Sequence, residues 1–254
     1  MDRRGARSSL AGGDYKGIAI DDVNFDRKVC GDVGASCEES VTPINYRGEA
    51  VTLEMWKDAM ADFMEEVRLA FPGKEIVHNQ VFFFAGGLSG GAPVDPHVHR
   101  AIAAADLLYV ERGYLDANFN DSSFSQLRDW IRYAHSQGRG VILDAKVPED
   151  PEFALASYFL DAKEGVTDYL GHPYRSAPGD WWDGWQTDLG RPLQPEAYGW
   201  PGYWRRDYER GSVTVSGPRS GSIERHSAPS YTAMPEIEGW DWSSMTWSGV
   251  SGGS

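Results

Sequence analysis

The sequence predicts an α/β fold built on a parallel sheet, and two observations lead to this prediction. Short apolar runs alternate with segments of helical periodicity up to about residue 170. Helices between strands allow neighbouring strands to run parallel through right-handed crossovers. The composition fits a globular chain, because hydrophobic residues make up 41% and charged residues 24% of its 254 residues. Strands are expected near residues 16–21, 75–81, 107–111, 141–145 and 166–170.

Helices are expected between these strands. Thr52 is a predicted N-cap, and the apolar residues after it recur at helical spacing until Pro72 and Gly73 end the helix. Asp95 is the predicted cap of a short helix over residues 96–105. Apolar periodicity indicates two more helices, over residues 124–134 and 152–163.

The chain changes character after Leu170. Residues 172–210 are rich in Trp, Gly and Pro and are expected to form loops, whereas residues 211–216 alternate as an exposed strand. From about residue 218 the chain is rich in Ser and Gly. The predicted organisation is therefore a domain of residues 1–217 followed by a tail or linker of residues 218–254.

Charge and hydropathy exclude several classes of partner. The 24 basic and 38 acidic residues give a formal net charge of −14, which argues against nucleic acids and anionic membranes because both require clustered Lys and Arg. No apolar run is long enough to span a membrane, and no apolar segment follows the basic N-terminus as it would in a signal peptide. The 10 Trp, 12 Tyr and 10 Phe suit a sugar-binding cleft, although an aromatic core gives the same composition.

Neither the cysteines nor the histidines predict a metal site. Cys30 and Cys37 enclose a short polar loop, for which a disulfide and two free thiols are both open. A bridge would place the protein outside the cytosol. His97 and His99 open a predicted helix, where their directions diverge by about 200°. No metal or other cofactor is expected.

Acidic residues follow several predicted strands, at the end where ligands bind in parallel α/β folds. They are Asp21 and Asp22 after the first strand, Glu111 after the third, Asp144 after the fourth, and Asp168 beside Tyr169 in the fifth. Two carboxylates across a cleft are the arrangement that glycosidases use. Asp21 and Glu111 are the predicted catalytic pair, since alternation places Asp21 on the same face as the small residues Gly17 and Ala19.

Other polar and aromatic residues are predicted to assist this pair. The expected supporting residues are Asp22, Asn79 and Asp144, and the expected substrate-binding residues are Gln80, Arg112, Tyr114, Trp182 and Trp185. For the tryptophans the alternative is a hydrophobic lid over the flank of the sheet.

Several segments together resemble glycoside hydrolase-like family fifteen, a TIM-barrel group of bacterial and phage sequences. They are GIAIDDVNFD, FPGKEIVHNQ, LLYVERGY, ASYFL and TDLGRP, within residues 12–216. More distantly the chain is similar to endo-alpha-1,4-polygalactosaminidases. The resemblance implies an α/β barrel of TIM type, here incomplete and covering strands four to eight. It also implies a catalytic Asp and Glu after the fourth and sixth barrel strands, which correspond to Asp21 and Glu111.

Two functions stay open at this point. The first is a carbohydrate-active glycoside hydrolase that cleaves a polysaccharide or oligosaccharide with this carboxylate pair. The second is a non-catalytic carbohydrate-contacting or structural protein, of the phage virion type, that keeps part of a barrel as a scaffold. An extracellular or virion-associated location is favoured. The open edge of an incomplete barrel favours a homo-oligomer or a complementing chain.

Overall fold

A five-stranded parallel sheet is the main element of the computed structural model. The structure describes residues 15–25, 29–30, 40–80, 88–89, 92–93, 95–110, 113–115, 121–144, 150–163, 165–166, 168–171, 182–200, 203–217 and 220–226. The strands of the parallel sheet are β1 (Gly17–Val23), β2 (Glu75–Gln80), β3 (Leu107–Val110), β4 (Gly140–Asp144) and β5 (Asp168–Gly171), in the order β1-β2-β3-β4-β5. Every neighbouring pair runs parallel, so the predicted direction and approximate place of all five strands are confirmed.

The prediction of a TIM-type barrel, complete or incomplete, is wrong. Within the described chain the parallel sheet is open, because β1 and β5 each pair with a single neighbour. The described residues after β5 do not add further strand–helix units. They form a separate antiparallel sheet instead, so the architecture is a mixed α/β fold.

Four α-helices are found in the described residues, and their first turns show why they begin where they do. They are α1 (Leu53–Ala70), α2 (Pro96–Ala104), α3 (Asp121–Ser136) and α4 (Pro151–Asp161). The Thr52 side chain accepts a hydrogen bond from Met55 N at 3.2 Å, and Asp95 accepts one from His97 N at 2.9 Å. Both predicted caps are confirmed. Asp150 caps α4 in the same way, ahead of a proline at the first helical position.

The two faces of the parallel sheet differ in cover. One face carries Ile76, Leu108, Val110, Val141 and Leu143, which form the core together with Met64, Ile102, Leu127, Ile131 and Phe153 of the helices. The other face, called the open face below, carries Ala19, which is exposed, and Val77, Tyr109 and Ile142, which are half-buried. The helices therefore cover one side of the sheet and leave the other accessible.

The antiparallel sheet packs on α4. Its strands are β6 (Tyr198–Trp200), β7 (Tyr203–Tyr208), β8 (Gly211–Val215) and β9 (Gly221–Arg225), in that order. At Gly221 the approach is so close that a Cβ atom would lie 3.0 Å from Phe153 Cα. Arg206 of β7 is buried and donates to the carbonyl oxygens of Phe159, Leu160 and Ala162, which satisfies the C-terminal end of α4.

This sheet corrects two expectations for the C-terminal region. Residues 198–208, predicted as loop, form two strands, and the predicted exposed strand at 211–216 is β8, in which Val213 and Val215 are fully buried. The domain boundary between residues 217 and 218 stays a prediction, although β9 continues the sheet beyond it.

Two short pairings complete the described elements. Val29–Cys30 pairs with Ser40–Val41, and Leu88–Ser89 pairs with Ala92–Pro93, both antiparallel. Cys37 lies outside the described residues, so a disulfide and two free thiols both stay predictions. None of the helices in the described ranges is long and apolar enough to cross a membrane.

Candidate functional site

Asp21 lies on a bulge at the carboxyl end of β1. The pairing of β1 with β2 is regular up to Ile20 and resumes at Val23. Asp21 and Asp22 together therefore stand opposite the single residue Asn79. A bulge of this kind redirects a side chain and is frequent beside active sites.

The backbone of Asp22 makes the bulge possible. Its φ of 49° lies in the left-handed region, which costs a residue with a side chain about 1–2 kcal/mol and which Asp tolerates better than most. The turn leaves Asp21 exposed, while Val23 and Phe25 beyond it are completely buried. The bulge thus presents a carboxylate to solvent at a point where the chain enters the core.

The donors to the Asp21 carboxylate from the described residues are neutral. Its Oδ1 accepts a hydrogen bond from Asn79 Nδ2 at 2.6 Å and one from the backbone N of Asp22 at 3.0 Å. No hydrogen bond from the described residues reaches Oδ2, and none of their cationic side chains pairs with Asp21. One oxygen is thus held in place while the other is left for a proton, a water or a substrate hydroxyl.

A second carboxylate lies on the same face, at the end of β4. Asp144 is 8% exposed and its Oδ2 accepts a hydrogen bond from the Tyr109 hydroxyl of β3. Asn79 of β2 is the register partner of Tyr109 of β3. Tyr109 is in turn the register partner of Ile142 of β4, which lies two residues before Asp144. Side chains in register point to one face, so a polar row of Asp21, Asn79, Tyr109 and Asp144 crosses four strands.

Tyr109 is the member of this row that sequence reasoning missed. The alternation of residues 107–110 contained the signal, because it places Tyr109 on the face opposite to Leu108 and Val110. Its hydroxyl gives Asp144 a neutral donor, as Asn79 does for Asp21.

Three predicted site residues cannot be placed by the structure. Glu111 and Arg112, which follow Val110 at the end of β3, lie outside the described residues. Gln80 ends β2, but its side chain is not described. Their predicted roles stay predictions.

Tyr114 lies in the core and not in an open cleft. Its side chain is 3% exposed, and its hydroxyl donates to Asp161 at 2.6 Å. Arg128 donates to both oxygens of the same carboxylate. Burial and the Asp161 carboxylate raise the pKa of Tyr114 well above its ordinary value. In this position the ring offers a substrate no surface.

Trp182 and Trp185 pack on each other beside α4. Their rings meet edge to face with centroids 5.4 Å apart, and Trp185 also packs against the core. They belong to a short 3-10 turn, Asp183–Gln186, that contacts α4. Both rings are half-buried. Their contact with substrate and the alternative of a hydrophobic lid both stay predictions.

Asp168 lies at the opposite end of the sheet from the one expected. It is the first residue of β5, and its carboxylate contacts His135 Nε2 at 2.7 Å and accepts hydrogen bonds from Lys163 N and Val141 N. The expectation of Asp168 at a carboxyl strand end is therefore wrong.

His97 and His99 take different partners, as their directions on a helix suggested. His97 Nδ1 lies 2.8 Å from Asp95 Oδ1, whereas His99 Nδ1 contacts the Tyr133 hydroxyl. No group of three potential metal ligands occurs within the described part of the chain.

No family model matches the chain, and no curated protein matches its sequence. The resemblance to glycoside hydrolase-like family fifteen stays a prediction.

Proposed function

We propose that this protein hydrolyses glycosidic bonds of a polysaccharide at the carboxyl end of the parallel sheet, with Asp21 as one of two carboxylates. The observation that carries the proposal is the presentation of Asp21, which is exposed on a bulge and accepts hydrogen bonds from neutral donors among the described residues. A carboxylate without a cationic partner can take up or release a proton during reaction. Glycoside hydrolysis needs two such groups, one to protonate the leaving oxygen and one to act on the anomeric carbon or on water.

Strand spacing supports Glu111 over Asp144 as the second carboxylate. Neighbouring strands lie about 4.8 Å apart, so β1 and β3 are separated by about 10 Å and β1 and β4 by about 14 Å. Carboxylates that act on one glycosidic bond lie about 5–9.5 Å apart. Glu111 follows β3 directly in the chain, and the separation of β1 and β3 is close to the upper end of this range. We assign Asp144 and Tyr109 to the wall of the cleft.

The open face supplies a surface suited to a sugar. Tyr109 and Ile142 are half-buried there, between the two ends of the polar row. Aromatic and aliphatic side chains pack on the apolar faces of pyranose rings, while Asn79 and Asp144 can bind hydroxyl groups. The net charge of −14 disfavours polyanionic polymers, so neutral or amino-sugar polysaccharides are the proposed substrates.

The test is a reducing-end assay of the full chain on neutral, amino-sugar and acidic polysaccharides. We expect hydrolysis in one of the first two classes, and a loss of about a thousandfold or more in Asp21→Asn and in Glu111→Gln. Asp129→Asn is the matched control, because Asp129 is half-exposed on α3 and pairs only with Arg132 at 3.5 Å. Full activity in Asp21→Asn would refute the assignment of Asp21.

A non-catalytic sugar-binding or structural role is the second candidate. The openness of the parallel sheet favours it, because an open sheet surrounds a substrate less completely than a closed barrel. Binding of an oligosaccharide by the folded protein, without cleavage of any polymer, would support this candidate against the hydrolase.

A further inference from the structure

The outer edge of β1 is open to pairing. Among the described residues only β2 pairs with β1. Lys16 O accepts a hydrogen bond from Glu75 N of β2 at 3.2 Å. Because the backbone N–H and C=O groups of successive strand residues point to opposite sides, those of Ile18 also point toward β2, whereas those of Gly17 and Ala19 point away from it. Unpaired N–H and C=O groups along an edge strand are a template for another strand. The central residues of β1 carry neither charge nor proline, the usual protections of an edge.

An apolar flank of α1 lies beside this edge. Side chains on a helix advance by about 100° per residue. The buried side of α1 contains Lys57, Ala61 and Met64. The side toward α2 contains Asp58, Asp62 and Glu65, which pair with Arg100 of α2. The opposite side, which is the apolar flank, contains Trp56, Met60, Phe63 and Val67. Trp56 Nε1 donates to Asn24 O at 3.0 Å, which places this flank on the β1 side. Phe63 is 43% exposed there.

We propose that this edge is an interface between two copies of the chain, whose β1 strands pair antiparallel about a two-fold axis at Ala19. In this register Ala19 faces its own copy and Gly17 faces Asp21. Gly17 and Ala19 have outward-directed backbone groups, so the Ala19 pair exchanges two hydrogen bonds, and Gly17 directs its N–H and C=O toward the bulge that begins at Asp21. The two parallel sheets then continue as one sheet of ten strands.

The side chains select this register over its neighbours. It sets Ile18 of one copy opposite Ile20 of the other and places Lys16 beside the bulge that contains Asp22, each twice by symmetry. Lys16 and Asp22 are both exposed, and neither side chain has an ion pair among the described residues. A shift of two residues in either direction would leave Lys16 opposite Ile20 or Asn24. Opposite charges directly across a strand pair are stabilising, and like charges are destabilising.

The same axis brings the two α1 flanks together. Because the axis is perpendicular to the sheet, α1 of each copy lies on the same face and turns its apolar flank toward the other. A stable interface buries about 1,200–2,000 Å² in total, which two short strands alone do not reach. Phe63 and Met60 supply the apolar part that the strand pairing lacks. The interface includes the bulge at Asp21 and Asp22, next to the proposed reaction site, but its test is the oligomeric state and needs no hydrolysis.

Sedimentation equilibrium of the full chain tests the interface. We expect a mass of twice 28.1 kDa, and a dimer dissociation constant raised about tenfold in both Lys16→Asp and Asp22→Lys. The double variant should restore the dimer, because it exchanges the charges within the pair. Phe63→Glu should weaken it as well. Arg225→Asp has the same change of charge as Lys16→Asp but lies on β9, and should have no effect.

Three results would overturn the proposal. The first is a monomer at every concentration, which would also be the result if residues 1–14 of the same chain cover the edge. The second is a dimer that Lys16→Asp and Asp22→Lys leave unchanged. The third is a double variant no tighter than either single one, which would exclude the register. Circular dichroism of each variant shows whether it is folded, and none of these results depends on polysaccharide hydrolysis.

Discussion

The two ends of the parallel sheet carry aspartates in opposite circumstances. At the amino end, Asp106 and Asp168 each accept a backbone N–H from the preceding strand in the sheet, Ile76 N at 2.8 Å and Val141 N at 3.3 Å. Each also contacts a basic side chain from the last turn of a helix, Arg68 of α1 for Asp106 and His135 of α3 for Asp168. At the carboxyl end, Asp21 and Asp144 have neutral donors.

This difference is the one expected between structural carboxylates and the carboxylates of the proposed site. The amino-end aspartates join a strand, its neighbour and a helix, so removal of either should loosen the fold. Burial raises the pKa of Asp106, but hydrogen bonds from Arg68 and Ile76 N outweigh it and hold that pKa below its ordinary value. Asp21 accepts hydrogen bonds from Asn79 and from the backbone N of Asp22, and it remains exposed. An acidic residue near a strand end therefore has different partners at the amino end and at the carboxyl end of the sheet.

Replacement at the amino end should have the largest effect on stability. Asp168→Ala leaves His135, Val141 N and Lys163 N without their acceptor, in a site where both partner side chains are almost fully buried. We expect a loss of about 3–5 kcal/mol in the free energy of unfolding, measured with urea. Asp168→Asn keeps an acceptor oxygen and should lose less. A loss below about 1 kcal/mol in Asp168→Ala would contradict a structural role for Asp168.

His78, which lies near Arg68 and Asp106, should make stability depend on pH. Its ring is fully buried with no hydrogen-bond partner in the described structure. Burial, with a smaller contribution from Arg68, lowers the pKa of His78 from 6.5 to about 4. The unfolded chain therefore takes up a proton first as the pH falls. Stability should decline between pH 6.5 and 4, by about 3 kcal/mol in total.

The variant His78→Leu isolates this contribution. Because leucine does not titrate, the variant should lose about 3 kcal/mol less than the wild type between pH 7 and pH 4 in urea unfolding. Parallel pH curves for the two proteins would show that folding leaves the pKa of His78 unchanged, which would contradict the expectation.

Asp106→Asn should have an intermediate effect. The side chains of Asp106 and Arg68 are 39% and 26% exposed, so solvent weakens their attraction. Asparagine can still accept from Ile76 N, and we expect a loss of about 1 kcal/mol in urea unfolding at neutral pH. The loss should vanish at a pH low enough to protonate Asp106, since the lowered pKa stabilises the fold only above it. An equal loss at low pH would point to packing instead of charge.

Local signals predicted much of the fold, and long-range contacts account for what they missed. The caps Thr52 and Asp95 and the five parallel strands follow from spacing within the sequence. Arg206 reads as a surface residue of a Trp-rich loop, yet it is buried because carbonyl groups at the end of α4, more than 40 residues earlier, accept its hydrogen bonds. No local pattern reveals such partners, and β7 was missed with it.

The candidate site shows the same limit. Alternation along β1 placed Asp21 on the face of Gly17 and Ala19, but the bulge that exposes it depends on pairing with β2. Asp168 was assigned to the wrong end because its strand begins two residues later than predicted. In a strand of four residues, an error of two residues in the predicted start is enough to assign a residue to the wrong end.

The unfolding free energy of Asp21→Ala tests the central claim most directly. Asp21 is exposed, and its one described side-chain partner is Asn79 of the neighbouring strand, so it should contribute little to the fold. We expect urea unfolding of Asp21→Ala to differ from wild type by less than about 0.5 kcal/mol, beside a loss of several kcal/mol in Asp168→Ala. A loss in Asp21→Ala as large as that in Asp168→Ala would contradict the account, because Asp21 would then be a structural residue like those at the amino end.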